Sequence, residues 1–402
     1  MPIWAIALGT TLLMQTVASF MDQSLPIIAP LLLSGVGLAP ERVGNLSSLN
    51  SAGVIIFLLF GGPLLAKLGP VRMLQCGVLI TVAGLAVAAT GFWPVLVIAA
   101  LLMGAGYGPT PPAGNRVLAA TAPPAHRTLI FSIKQAGAPA GGALAGLILA
   151  PLASWYGWPA ALLAAMAVGV IASIGISPMR ARLDIEREPD RDIRLRTIFS
   201  RDQVMRPFKA MRGNPLVISV TALSVSFAIV QGSLFSFGVT YFSVERHLSL
   251  PEAGLAYACM QGAGVFARIF LGWLADRTGR PDWNLTVQAY IASGLVLAVA
   301  ALPDHPNIGL ACLVAGATGF FAASWNGIYM AEIARLSPPD LIVQTTSGST
   351  VFTFLGYVTG PSVFSLLVTL TGSWTVPFLV VSAQLAAMAL AQTTILLRRA
   401  KA

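Results

Sequence analysis

Charge is what this sequence has little of. Asp, Glu, Lys and Arg make up 10% of its 402 residues, against about 25% in an ordinary soluble domain. So few charges cannot coat a soluble chain of this length, which excludes a cytosolic enzyme and a disordered protein. Histidine is scarcer still: His126, His247 and His305 all fall outside the long apolar runs. A proton relay built on histidine is therefore excluded. Cys76, Cys259 and Cys312 stand singly in apolar surroundings, without metal-ligand spacing, and read as small core residues. Zinc, phosphate-loop and nucleophile-elbow motifs are missing too, so neither an enzyme nor a metal site is expected. What is abundant is apolar: 56% of the chain, with a mean hydropathy of +0.79.

A membrane helix needs about 20 mostly apolar residues to cross a ~30 Å hydrocarbon core. Twelve stretches meet that length: 3–34, 43–66, 71–91, 93–119, 129–153, 156–177, 215–242, 250–275, 284–302, 306–334, 341–369 and 374–397. The first is too long, and lacks the basic start, of a cleaved signal. The net charge of +9 has a clear distribution. Connections after odd-numbered spans carry only Arg42 and Arg246, whereas those after even-numbered spans, with the C-terminal tail, hold 19 of the 24 Lys and Arg. This asymmetry places both termini in the cytoplasm. It also removes nucleic acid as the reason for the basic balance. The polar stretch 178–213, with ten Lys or Arg and six acids, separates an N-terminal bundle (1–177) from a C-terminal bundle (214–402). It reads as a cytoplasmic linker, part of which, near Phe199 to Met211, is suited to the inner leaflet.

The two halves repeat. GPLLAKLGPVR from Gly62 answers GWLADRTGRPD from Gly272, an offset of 210. Gly137 and Gly141 in GAPAGG answer Gly356 and Gly360 in GYVTGP, and Ser24-Leu25 answers Ser233-Leu234. Duplicated halves are a common transporter plan. GWLADRTGR resembles the signature loop of the major facilitator superfamily, G-x-x-x-D-R-x-G-R; the first-half copy is degraded, with Ala66 at the place of the Asp. The resemblance implies an all-α membrane protein: twelve transmembrane helices in two pseudo-symmetric six-helix bundles around a central cavity, working by alternating access. In such a protein Gly272, Asp276, Arg277, Gly279, Arg280 and Glu332 form a conformational latch. Gly272 would allow close packing, Asp276 would pair with Arg280 or cap a helix, and Glu332 would partner Arg277 or Arg280.

A charge inside the membrane is costly and has to be paired or solvated. Asp22 in span 1 is a candidate for proton coupling, with a structural cap or direct cation binding as alternatives. Its counterpart in the second half is Gln231. Arg268 in span 8 offers a permanent planar cation that matches a carboxylate. Its spacing ahead of the signature loop is similar to that of monocarboxylate transporters, where this Arg binds the substrate anion. Pairing with a helix end, Glu332 or Asp276 is the alternative. Lys134 in span 5 either reaches the headgroups or adds a second anion contact. Arg116 ends span 4 as an interface anchor, after Pro109, Pro111 and Pro112, which should break or bend that helix. Asn326, Tyr329 and Gln261 join Arg268, Gln231 and Lys134 as candidate substrate contacts.

SWNGIYMAEIARLSP and SIKQAGAPAGG resemble a broad group of bacterial facilitators that includes cyanate-type and organic-anion porters. The expected protein is a monomeric secondary transporter in the bacterial inner membrane. It moves a small, monocarboxylate-like organic anion coupled to protons, and needs no cofactor beyond the proton gradient. A drug/proton antiporter and a cyanate- or nitrate-like inorganic anion porter are the alternatives. Arg268 disfavours cationic drugs, and Leu58, where nitrate-type porters carry a second Arg, disfavours nitrate.

Overall fold

The computed structural model describes residues 2–123, 126–184, 187–190, 201–211, 214–338 and 341–401. Twelve helical segments within them are long and apolar enough to span a membrane, from Ile3–Gly35 to Thr375–Arg399. They match the twelve stretches read from the sequence, because long apolar runs in lipid can satisfy their backbone only as helix. Large apolar side chains point outward along them, among them Phe266 at 72%, Leu313 at 70% and Leu370 at 72% exposure. Such a surface is stable against lipid and unfavourable in water.

The chain folds as two compact units, Met1–Gly37 with Leu49–Val204, and Leu38–Ser48 with Met205–Ala402. The change of unit after Val204 falls inside the expected linker. Residues 38–48 group with the second unit because Gly44 sits hard against it. A Cβ there would lie 2.4 Å from both Phe237 and the Pro361 carbonyl.

Each unit is built with the same close approaches of a glycine to a neighbouring helix backbone. In the first, a Cβ on Gly104 of span 4 would stand 1.7 Å from the Asn50 carbonyl of span 2. In the second, a Cβ on Gly319 of span 10 would stand 2.0 Å from the Met260 carbonyl of span 8. Likewise Gly141 of span 5 meets the Thr16 carbonyl of span 1, and Gly356 of span 11 meets the Val225 carbonyl of span 7, at 2.2 and 2.5 Å from the same imagined atom. In lipid, where burial does not drive helices together, such approaches supply much of the packing.

Among the described residues, spans 1, 4 and 10 are each built of two helices. Span 1 runs as Ile3–Asp22 and Ser24–Gly35. Pro26 has no N–H for the Asp22 carbonyl, and the Ser24 hydroxyl bonds the Met21 carbonyl at 2.6 Å. Span 4 runs as Trp93–Tyr107 and Thr110–Thr121, interrupted at the proline cluster. Span 10 runs as Ile308–Ala322 and Asn326–Leu336, without a proline to cause it.

At the end of the first unit the linker folds back. The Asp184 carboxylate accepts the backbone N–H of Val71 at 2.7 Å and of Arg72 at 3.2 Å, capping the helix Pro70–Ala88. Arg180 lies 3.8 Å from it. Burial raises the Asp184 carboxyl above its ordinary value of 3.8, against the opposing pull of those two N–H bonds and of Arg180 and Arg187. The Glu188 N–H donates to the Ala66 carbonyl at 2.8 Å, and Arg116 approaches Glu188 at 3.9 Å. The linker thus brings acids to the loop whose own acid is replaced by Ala66. Of the expected leaflet segment, residues 199–200 lie outside the described residues. Residues Arg201–Met211 form a helix, and its Phe208 packs edge-on against Phe352 of span 11.

The cysteines are half-buried and unbridged. Cys259 and Cys312, far apart in sequence, are hydrogen-bonded neighbours, a pairing that single apolar contexts did not reveal.

Candidate functional site

The break in span 10 gathers the polar groups of the second unit. Residues 323–325 leave the helix, so their carbonyls and those of the preceding turn need donors from elsewhere. Side chains supply them. Arg268 donates from Nη2 to the Ala323 carbonyl at 3.3 Å. Gln288 donates from Nε2 to the Phe321 carbonyl at 2.7 Å and to the Ser324 hydroxyl at 3.0 Å. Arg268 is half-buried and meets the carbonyl end of a half-helix, where partial negative charge accumulates. The helix-end pairing read from the sequence is therefore present.

Gln231 of span 7 sits at the other side of the break. Its Oε1 accepts from Trp325 Nε1 at 2.9 Å, Tyr357 OH at 3.0 Å and Asn326 Nδ2 at 3.3 Å. Trp325 is fully buried and stacks on Phe227, with ring centroids 5.4 Å apart. Gln231 and Asn326 are thus brought together and joined, through the break, to Arg268.

Two other candidates are placed elsewhere. Tyr329 is 2% exposed and belongs to a closed hydroxyl network. It bonds Ser349, accepts from Thr353 at 3.1 Å, and is linked through these to Thr221 and Ser224 of span 7. Gln261 is 1% exposed and donates to the Tyr257 hydroxyl at 2.8 Å, one turn back on its own helix. Both lie inside the unit with hydroxyl partners, and Gln261 Oε1 is buried without one.

In the first unit Asp22 ends the first half of span 1. Asn50 donates to its Oδ1 at 2.9 Å and Gln23 to its Oδ2 at 3.1 Å. The Gly104 contact with the Asn50 backbone holds that donor in place. Lys134 does not reach outward: it is 0% exposed. Its Cε and Nζ lie 2.7 and 3.2 Å from where a Gly114 Cβ would be, so the missing side chain of Gly114 makes its room. This corrects the headgroup reading; helix Arg127–Tyr156 turns Lys134 into the unit.

The signature loop departs from the expected pairing. Glu332, buried, is held bidentately by Arg335, at 2.6 and 2.7 Å, and not by Arg277 or Arg280. A partner three residues along the same helix is closer than any across a loop. Asp276 and Arg280 are exposed, and among the described residues no ion pair joins them. Arg277 lies over the Trp273 ring at 5.4 Å. A Cβ at Gly272 would meet nothing within 4 Å, so its packing role is not seen. Gly279 has a clear one: it ends the helix Leu250–Thr278 at φ 63°, where a side chain is strained.

Asn50, Tyr357, Gly114 and Asp184 were missed by sequence reasoning. Asn50 carried a signal, as an amide inside a span; the others depend on partners distant in the chain.

Twelve spans in two units of the same build, with breaks lined by polar side chains, define a multi-pass membrane transporter and not an enzyme. Residues 11–347 match the model of the Major Facilitator Superfamily, and the chain belongs to that superfamily. It is similar to a hexuronate transporter of Bacillus subtilis (strain 168), 28% identical over 161 residues, which cover 39% of this chain and 38% of that one. It is also similar to a probable sulfoacetate transporter, SauU, of Cupriavidus necator, 24% identical over 405 residues, 96% of this chain and 92% of the relative. Among solved structures, the peptide transporter POT in complex with sulfate superposes with a TM-score of 0.76 at 15% identity, over 99% of this chain and 95% of that one. A bacterial homolog of the human lysosomal transporter Spinster, inward-facing and unoccupied, gives 0.69 at 18%, over 98% and 95%. These likenesses show the fold.

Proposed function

We propose that this transporter moves a small organic anion across the bacterial inner membrane, coupled to protons, as a monomer with both termini cytoplasmic. The observation that carries the reading is the break in span 10. There a permanent cation, Arg268, and an amide, Gln231, are both held in place by backbone and indole partners. Donors of this kind suit carboxylate, sulfonate or other oxyanions. The relatives named for hexuronate and sulfoacetate support the same class.

Asp22 is the coupling acid in this scheme. Binding an anion at Arg268 and a proton at Asp22 discharges both groups; either alone leaves an uncompensated charge to be moved through lipid. Lys134 is the further buried cation that such a cycle has to accommodate. The experiment is uptake into proteoliposomes under an imposed pH gradient, with binding to the detergent-purified chain measured in parallel. Arg268→Ala is expected to abolish anion binding. Asp22→Asn is expected to keep binding and exchange but to lose uphill uptake. Unchanged binding in the first, or unchanged uphill uptake in the second, refutes the corresponding role.

A further inference from the structure

At the span 10 break, the amide of Gln231 is engaged by the protein on its oxygen side. The indole N–H of Trp325 can only donate, so the atom it meets at 2.9 Å has to be the amide oxygen. Tyr357 and Asn326 add their donors to that same oxygen. Three donors on Oε1 decide which way the amide faces, and Nε2 is turned away from them. Among the described residues no protein acceptor meets Nε2, yet it is not one of the sealed, unsatisfied atoms of the interior. The 4% of Gln231 that remains exposed leaves it an opening. A side chain this buried, with its oxygen fully used and its donor unused, is set to give a hydrogen bond to something that is not protein.

We propose that Gln231 sets substrate specificity. Its locked Nε2 donates to a second oxygen group of the substrate, while Arg268 takes the charged group. The protein then selects anions that carry an additional hydroxyl, carbonyl or sulfonate over plain monocarboxylates. This rests on the organic-anion reading above and narrows it. The two donors engage the same break. Arg268 holds residue 323 and Gln231 holds residues 325 and 326. An anion with a methyl group in place of the second oxygen leaves the Nε2 donor dehydrated and unpaired, which is the asymmetry that makes hydrogen-bonding sites selective. Trp325 is the positioning residue: it touches no ligand in this scheme and acts by denying Gln231 its flipped orientation.

The test uses the full-length protein in detergent, with sulfoacetate and lactate as two-group probes and propionate as the one-group probe. Wild type is expected to bind the two-group anions about 10- to 100-fold more tightly than propionate. Gln231→Met should abolish the preference, so that all three probes bind this variant alike. Gln231→Glu keeps an acceptor for all three donors, which offsets part of the cost of its buried carboxyl, so without ligand it should melt below wild type and still fold. It presents oxygen where Nε2 was, and should lose sulfoacetate more than propionate. Trp325→Phe should lower the preference several-fold. Equal, Arg268-dependent binding of all three probes to wild type overturns the specificity role and leaves the anion site standing. A preference that survives in both Gln231 variants overturns it as well. No binding of any probe to wild type refutes the organic-anion reading itself.

Discussion

Gly104→Ala tests whether packing between spans 2 and 4 serves the acid in span 1. The added Cβ would stand 1.7 Å from the Asn50 carbonyl, a backbone atom that no rotamer change can move. Real contacts of this type stay beyond about 3.0 Å, so the two helices must separate by roughly 1.3 Å; overpacking of this kind costs about 1–3 kcal/mol. Asn50 moves with its backbone, and its 2.9 Å bond to Asp22 Oδ1 lengthens past 4 Å, beyond hydrogen-bonding range. A hydrogen bond to a charged group is worth about 1.5–3 kcal/mol, so the carboxylate loses support comparable to the packing cost. The assay is the one that tests the proposed function, uptake into proteoliposomes under an imposed pH gradient with labelled sulfoacetate as the probe anion, with thermal unfolding measured alongside. Gly104→Ala and Asn50→Leu should each slow uphill uptake about tenfold, and the double variant should be no slower than the worse single one. Wild-type uptake in Gly104→Ala, or independent addition of the two defects, refutes the reasoning.

Asp184→Ala should destabilise the first unit by about 1 kcal/mol, the worth of a helix N-cap, read as a lower melting temperature. Because the folded carboxyl titrates above its ordinary value of 3.8, the folded state holds the Asp184 proton more tightly than the unfolded one. The residue's contribution therefore falls as pH rises through that range, and the gap between wild type and variant should narrow with it. Arg335→Ala strands the buried Glu332 carboxylate and should cost about 2 kcal/mol, tempered by the exposure of the arginine; Glu332→Gln in the same background should recover most of it. Melting curves in which the double variant is as unstable as Arg335→Ala would show that the stranded charge is not the cause.

The spans, their number, the duplication and the break in span 4 were legible in the sequence because each has a local cause. Apolar length decides a span, and Pro109, Pro111 and Pro112 withhold closely spaced backbone donors. Gly279 was read only as part of the signature loop; that it ends a helix in the left-handed region was seen in the structure. The break in span 10 has no such local cause. It persists because Arg268, Gln288 and Gln231, from spans 8, 9 and 7, bind the groups it exposes. Lys134 shows the same limit: one residue, Gly114, twenty positions earlier in the chain, makes room for its side chain inside the unit. Glu332 could be seen to need a cation, but which arginine answered was decided by distance in the fold. Composition and periodicity determine where the chain crosses the membrane, since they act within a helix. Which polar groups are spent on the protein, and which, like Gln231 Nε2, meet no protein acceptor among the described residues, is decided only when helices far apart in sequence are packed.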